Sequence, residues 1–277
     1  MRKYLKLVNF EFNRLAKLFA VLLGLTFLIQ ITGVIVESKK YVNVVNEKIY
    51  EEMMPKAQFI AEFGQMSFSK FTYSIWFFGP IALCIAGVAF YIFLIWYRDW
   101  FGKNTFIYRL LMLPTTRLNI FYAKLTNILL LTFGFVAFQL ILLPIEMTVF
   151  KWMIPSEFRF DMGIIEILNS SPELSIIFPS SIVEFILYYG VGIIAVSVIF
   201  TAILFERSFK WKGIFAGITY GVLAIGIFIS PLLLQEFVLN GFLYPLELFL
   251  IEIVMGLLIL AGSIWMSGFL LKKKITV

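Results

Sequence analysis

Six stretches of the chain are almost wholly apolar, and the charged residues gather between them. The first, Leu18–Val36, covers about 28 Å at about 1.5 Å per helical residue, close to the roughly 30 Å of a bilayer's hydrocarbon core. The second, Phe71–Tyr97, carries no charge over 27 residues. At about 40 Å it exceeds the core, so it tilts or projects, carrying Arg98 with it. Pro80 predicts a kink near its outer end. The third run is Leu125–Ile145 with Pro144 near its exit, the fourth Phe185–Phe205, and the fifth Gly213–Leu234 with Pro231 near its end. The sixth, Leu248–Leu271, is followed by Lys272, Lys273 and Lys274. The pattern predicts an all-α integral membrane protein with six transmembrane helices over residues 18–277.

Residues 1–17 have a different period. Leu5, Val8, Phe12 and Leu15 recur at three- and four-residue steps, and Arg2, Lys3, Lys6, Asn9, Asn13, Arg14 and Lys17 fill the other faces. This reads as an amphipathic interfacial helix on an anionic cytosolic leaflet, or as the basic flank of the first span. Among the connections, Glu37–Lys70 is polar, with a helical stretch near Tyr50–Phe63 interrupted by Pro55. Glu146–Glu184 is acidic and punctuated by Pro155, Pro172 and Pro179, so short helices joined by irregular chain are expected. Between Pro231 and Glu247 the connection is short and mostly apolar, which favours a segment that dips back into the bilayer.

Composition agrees with the membrane class: 277 residues, 61% hydrophobic, 14% charged, mean hydropathy +0.94. The net charge of +6 is distributed unevenly. With the N-terminus inside, the inner segments hold 16 Lys and Arg and the outer segments 7, while 14 of the 17 acids lie beyond the inner face. The positive-inside rule therefore puts both termini in the cytosol and assigns the charge to orientation, not to nucleic acid. No histidine is present and Cys84 is the single cysteine, which excludes intramolecular disulfides, Cys/His metal sites and histidine acid–base chemistry. No catalytic motif is present. Gly102-Lys103-Asn104 lacks the glycine loop and the Ser/Thr of a phosphate-binding loop, so no catalytic residue, metal or cofactor is expected.

Polar residues inside the apolar runs are few. Glu252 lies about one turn into the sixth run. An acid at mid-membrane costs roughly 2.5–3.5 kcal/mol, which marks it as a functional candidate. Its nearness to the end of the run favours a plain position at the outer interface beside Glu247. Gln30, Asn127 and Gln139 are expected to bond to neighbouring helices, with a substrate path as the weaker reading. The spacings Gly217/Gly221 and Gly190/Ala195 would permit close helix contacts.

The segment from Arg98 to Lys124 is too polar for lipid and too patterned for slack linker. It holds five bases (Arg98, Lys103, Arg109, Arg117, Lys124) and one acid, Asp99. A helical pattern from Thr105 stops at Leu113, because Pro114 disfavours helical backbone before it. Phe106, Leu110 and Leu113 share one face with Lys103 and Arg109 off it, and Thr115 or Thr116 is placed to cap the next helix. Such a helix suits the groove of a cytosolic partner, or equally a loop lying on anionic lipid.

The segment resembles the loop between the second and third spans of ABC-2-type transporter permeases. There an acid–x–x–x–Gly stretch leads to a leucine-rich turn, Leu-Pro-x-[Ser/Thr]-Arg, a hydrophobic pair and a Lys. The matching positions are Gly102, Leu110 to Arg117, Ile120 and Lys124, with Asp99 one residue closer than the family's acid. The motif covers about twenty residues, and the layout covers the chain. The resemblance implies an exporter permease paired with a second permease, identical or homologous, and docked on two cytosolic ATP-binding subunits. Residues Thr105–Leu113 would be the coupling helix, with Phe106, Arg109, Leu110, Leu113, Pro114 and Arg117 at the contact. The nearest layout is that of bacterial plasma-membrane exporters of hydrophobic compounds or antimicrobial peptides. The competing expectation is a membrane anchor or regulator that uses the same loop without transporting.

Overall fold

The computed structural model describes residues 2–101, 106–112, 114–238 and 240–275. In chain order its helices are α1 (Arg2–Asn46), α2 (Lys56–Phe63), α3 (Phe68–Thr72), α4 (Ile75–Trp100), α5 (Phe106–Leu111), α6 (Leu118–Met153), α7 (Ile164–Leu168), α8 (Pro172–Ile177), α9 (Ile182–Phe209), α10 (Trp211–Phe237) and α11 (Pro245–Phe269). Six of these, α1, α4, α6, α9, α10 and α11, are long and apolar enough to cross a membrane. A multi-pass all-α membrane protein is the result.

Several boundaries differ from the sequence reading. The interfacial stretch 1–17 and the first apolar run are one unbroken 45-residue helix, because neither proline, glycine nor a capping residue separates Lys17 from Leu18. The face buried in α1 is also offset from the expected stripe. Leu7, Glu11 and Leu15 are buried, whereas Leu5 is 59% exposed. The second span begins at Ile75, since Phe71 and Thr72 belong to the separate helix α3, and it runs on through the charges to Trp100. The third span extends past Glu146 to Met153. No helix dips back between α10 and α11 among the described residues. Instead α10 continues through Pro231 to Phe237, and the chain turns with Asn240 (φ 46°) and Gly241 (φ 81°) in the left-handed region. The Gln235 side chain clamps that turn, donating to Leu243 O at 2.9 Å and accepting from Leu243 N at 3.1 Å.

The described chain forms two compact units. One comprises Met1–Arg14, Ala89–Leu130 and Phe185–Val277. Trp96, Phe121 and Phe200 are fully buried there, with edge-to-face ring pairs at 5.6 Å. Hydroxyls join three of its helices: Thr201 reaches Ser267 Oγ at 2.9 Å and Ser263 O at 3.2 Å, and Tyr220 meets Ser263 Oγ at 2.7 Å. The corner between α9 and α10 is tight. A Cβ on Gly213 would lie 2.0 Å from Phe205 O, so only glycine fits. Of the four spaced small residues expected at helix contacts, Gly217 does lie against α9, 2.9 Å from Ala202 O when given a Cβ, whereas Gly190 and Gly221 face open space.

The other unit comprises Leu15–Val88 and Leu131–Glu184. Its core is aromatic, with Phe59, Phe68, Phe71, Phe77, Phe150 and Phe158 among its buried residues. Short parallel strands β1 (Met66–Ser67) and β2 (Arg159–Phe160) pair beside it. The loops around the core are secured by specific bonds. Tyr41 Oη lies 2.9 Å from Gly64 O and 3.2 Å from Phe158 O. The Arg159 guanidinium caps the end of α6 by donating to Lys151 O (2.8 Å) and Ile154 O (2.9 Å). Ser171 caps α8, whose first residue is Pro172.

Phe59 is fully buried and packs on Phe63 and Phe158 with ring centroids 5.0 and 6.0 Å away. Phe59→Ala is expected to cost about 3–5 kcal/mol, and Tyr50→Ala, at a 70% exposed position, less than about 0.5 kcal/mol. Thermal unfolding in detergent compares the two.

Candidate functional site

Asp99 falls in the last turn of α4 and Lys124 in the second turn of α6, so the chain leaves and re-enters regular helix on either side of the 98–124 segment. The two residues meet directly. Lys124 Nζ lies 2.5 Å from Asp99 Oδ2, 2.9 Å from Glu11 Oε1 and 2.6 Å from Ile95 O, which uses all three ammonium protons. The second oxygen of each acid is also taken. Arg14 Nη1 donates to Asp99 Oδ1 at 2.7 Å, and Arg98 Nη2 donates to Glu11 Oε2 at 2.8 Å. Three cations thus hold two carboxylates.

Burial makes this arrangement costly to disturb. The side chains of Lys124 and Asp99 are fully buried and that of Glu11 is 4% exposed, while those of Arg14 and Arg98 keep about a quarter of their surface. Desolvating each ion costs several kcal/mol, which only well-formed pairing offsets. Aromatic faces complete the shell: Lys124 Nζ is 5.1 Å from the Trp96 ring, and the Arg14 guanidinium lies over Phe10 and Phe106. An amine with every proton engaged and no exposed surface offers no nucleophile to a substrate. The site is a clamp on α1, α4 and α6.

Between the clamped ends sits α5. Ile107, Leu110 and Leu111 are buried in the chain, and Phe106 is half-buried and stacked on Phe10 at 5.4 Å. Leu110 is therefore spent internally and is not a free knob. The outward residues are Tyr108, Arg109 and Met112, the last 73% exposed. Leu113 lies outside the described residues, as do Gly102, Lys103 and Thr105. Pro114 is exposed, and its carbonyl accepts from Lys3 Nζ at 2.8 Å. Arg117 Nη1 donates to Leu271 O (2.5 Å) and Ile275 O (2.8 Å), tying the segment to the turn that follows α11.

The intramembrane candidates are scattered. Asn127 donates to Val8 O (3.1 Å) and Ala123 O (2.8 Å), a helix-to-helix tie. Gln30 likewise donates to Phe77 O at 3.0 Å. Gln139 is buried, and its amide nitrogen has no partner among the described residues. Glu247 caps α11 by accepting from Tyr244 N at 2.9 Å, but Glu252, five residues further in, is buried with both oxygens unpartnered among the described residues. Glu146 is the residue the sequence missed. It is fully buried with both oxygens unpartnered, on the α6 face that also carries Gln139, Leu143 and Phe150. The pattern placed it at the start of a polar loop because the apolar run ends at Ile145.

Comparison with known protein families, with curated proteins and with solved structures finds no match to this chain.

Removing the ammonium strands two buried carboxylates. Lys124→Met is expected to cost about 3–5 kcal/mol. The triple variant Glu11→Gln, Asp99→Asn, Lys124→Met is expected to recover much of that loss, because Arg14 and Arg98 can turn to solvent. Melting of the single and triple variants in detergent measures the non-additivity.

Proposed function

We propose that the chain is the membrane-embedded permease subunit of an ABC-2-type, ATP-driven exporter in a bacterial plasma membrane. In this reading it forms, with a second identical or homologous permease, the path for a hydrophobic compound or antimicrobial peptide. Two separate cytosolic subunits bind and hydrolyse ATP. The observation that carries the reading is the clamp. A contact helix that receives work from a motor must not flex at its ends, and the Lys124–Asp99 pair closes the segment at its base.

The chain's own residues then have distinct tasks. Tyr108, Arg109 and Met112 present the outward face of α5 to the ATP-binding subunit. Ile107, Leu110 and Leu111 seat α5 in the chain, and the Phe106–Phe10 stack passes its displacement into α1. Lys124, with Glu11 and Asp99, makes the bases of α1, α4 and α6 respond together. Arg117 couples the same segment to the end of α11. The surplus of Lys and Arg on the inner segments supports a cytosolic position for this end and for both termini.

The test uses the chain co-expressed with its ATP-binding subunit. Arg109→Glu and Met112→Asp are expected to lower association by tenfold or more with unchanged melting temperature, because both positions face outward. Normal association and normal stimulation of ATP hydrolysis in both variants would overturn the assignment of α5. Association without ATP-dependent export into vesicles would make the chain an anchor.

A further inference from the structure

A second group of bases, outside the clamp, gathers at the corner between α9 and α10. Lys210 forms the corner between α9 and α10, Lys212 follows in the first turn of α10, and Lys274 Nζ lies 5.6 Å from the Phe209 ring. Lys274 is thereby drawn to that corner. Lys210, Lys212 and Lys272–Lys274 are exposed and make no ion pair among the described residues. Glu206, the acid on the adjacent turn of α9, is already occupied by the Tyr97 hydroxyl and the Arg207 guanidinium. The corner is rigid, because Gly213 packs on the Phe205 carbonyl and Lys210 is held at φ 54° with its carbonyl accepting from Gly213 N and Ile214 N.

Directly beneath these charges an apolar stripe begins. Trp211 is 80% exposed, Phe215 71%, Ile218 60%, Val222 63% and Ile225 60%. Their spacing of four, three, four and three residues puts them on one face of α10. A face of this kind, headed by tryptophan, fits acyl chain below and headgroup above. A water-soluble protein partner would leave most of that stripe uncovered.

We propose that Lys210, Lys212 and Lys274 form a binding site for an anionic phospholipid headgroup, whose acyl chains lie along the Trp211–Ile225 stripe. The site is separate from the clamp and from α5, and it rests only on this end of the helices meeting an anionic leaflet. Its function is to fix the α9–α10 corner and the C-terminal turn at the membrane surface.

The detergent-purified full chain is mixed with phosphatidylglycerol and phosphatidylcholine of the same acyl chains, and retained lipid is read by native mass spectrometry. Wild type is expected to prefer phosphatidylglycerol, and Lys212→Gln to lose about fivefold of that preference. The triple variant Lys210→Gln, Lys212→Gln, Lys274→Gln is expected to bind both lipids equally, and brominated phosphatidylglycerol is expected to quench Trp211 in wild type, as judged against Trp211→Phe. Equal retention of the two lipids by wild type overturns the proposal. So does a preference that survives in both the single and triple variants. In the co-expressed complex, a triple variant that loses the ATP-binding subunit while its lipid preference stays intact would assign the surface to protein instead and also overturn it.

Discussion

A lysine with no exposed surface must place three protons on acceptors or lose its charge, and the base of this fold satisfies that requirement around Lys124. Its acceptors come from α1 (Glu11) and α4 (Asp99 and the Ile95 carbonyl), and the lysine itself comes from α6. Three helices with no sequence adjacency are thus brought to one point by a single side chain. The energetic meaning is specificity more than net stability. A buried ion pair roughly balances its desolvation, but any packing that separates the partners leaves charge uncompensated at several kcal/mol. Alternative registers of α1 against α4 and α6 are penalised heavily, and the observed one carries no such penalty.

The end of α4 and the residue that follows it extend the constraint in two directions. Arg98 and Asp99 point into the clamp, whereas Tyr97, Trp100 and Phe101 surround Arg207 of α9 at 4.6, 5.7 and 5.7 Å from their ring centroids. One helix end therefore carries an ion network on one side and a cation–aromatic cage on the other. This explains why α4 continues as regular helix through Arg98 and Asp99, beyond the uncharged run that ends at Tyr97. The charged turn is stabilised by partners from α1, α6 and α9, so it has no reason to fray.

The six spans were legible because hydrophobic length is a property of local sequence, and none of the six was missed. The ends were less legible, since helix continues wherever no residue breaks it, as at Lys17–Leu18 and Ile145–Glu146. The re-entrant expectation failed for a related reason: apolar composition between Pro231 and Glu247 was shared between a longer α10 and a seven-residue connection. The clamp was only half readable. Asp99 and Lys124 stood out as isolated charges flanking the segment, but Glu11 sat within a basic helix whose apolar stripe pointed elsewhere. What signalled it was scarcity. Only Glu11, Asp99 and Glu206 are acids among the segments assigned to the inner side, and each is engaged by neighbouring side chains. Glu146 carried no such signal, because acids are common in the outer connections.

That scarcity bears on how force would pass through the segment. If α5 were joined to α4 and α6 by flexible chain, pressure on Tyr108 or Arg109 would be absorbed in the joints. Among the described residues, the contacts lie on the flanking helix ends and on the chain from Pro114 to Arg117. Asp99 and Lys124 close the base, and Arg117 ties the chain just before α6 to Leu271 and Ile275. Lys3 holds the Pro114 carbonyl from α1. The Arg14 guanidinium sits in both systems at once, bonded to Asp99 and lying over the Phe106 ring at the start of α5. It is the residue through which contact at α5 and charge in the clamp are physically one system.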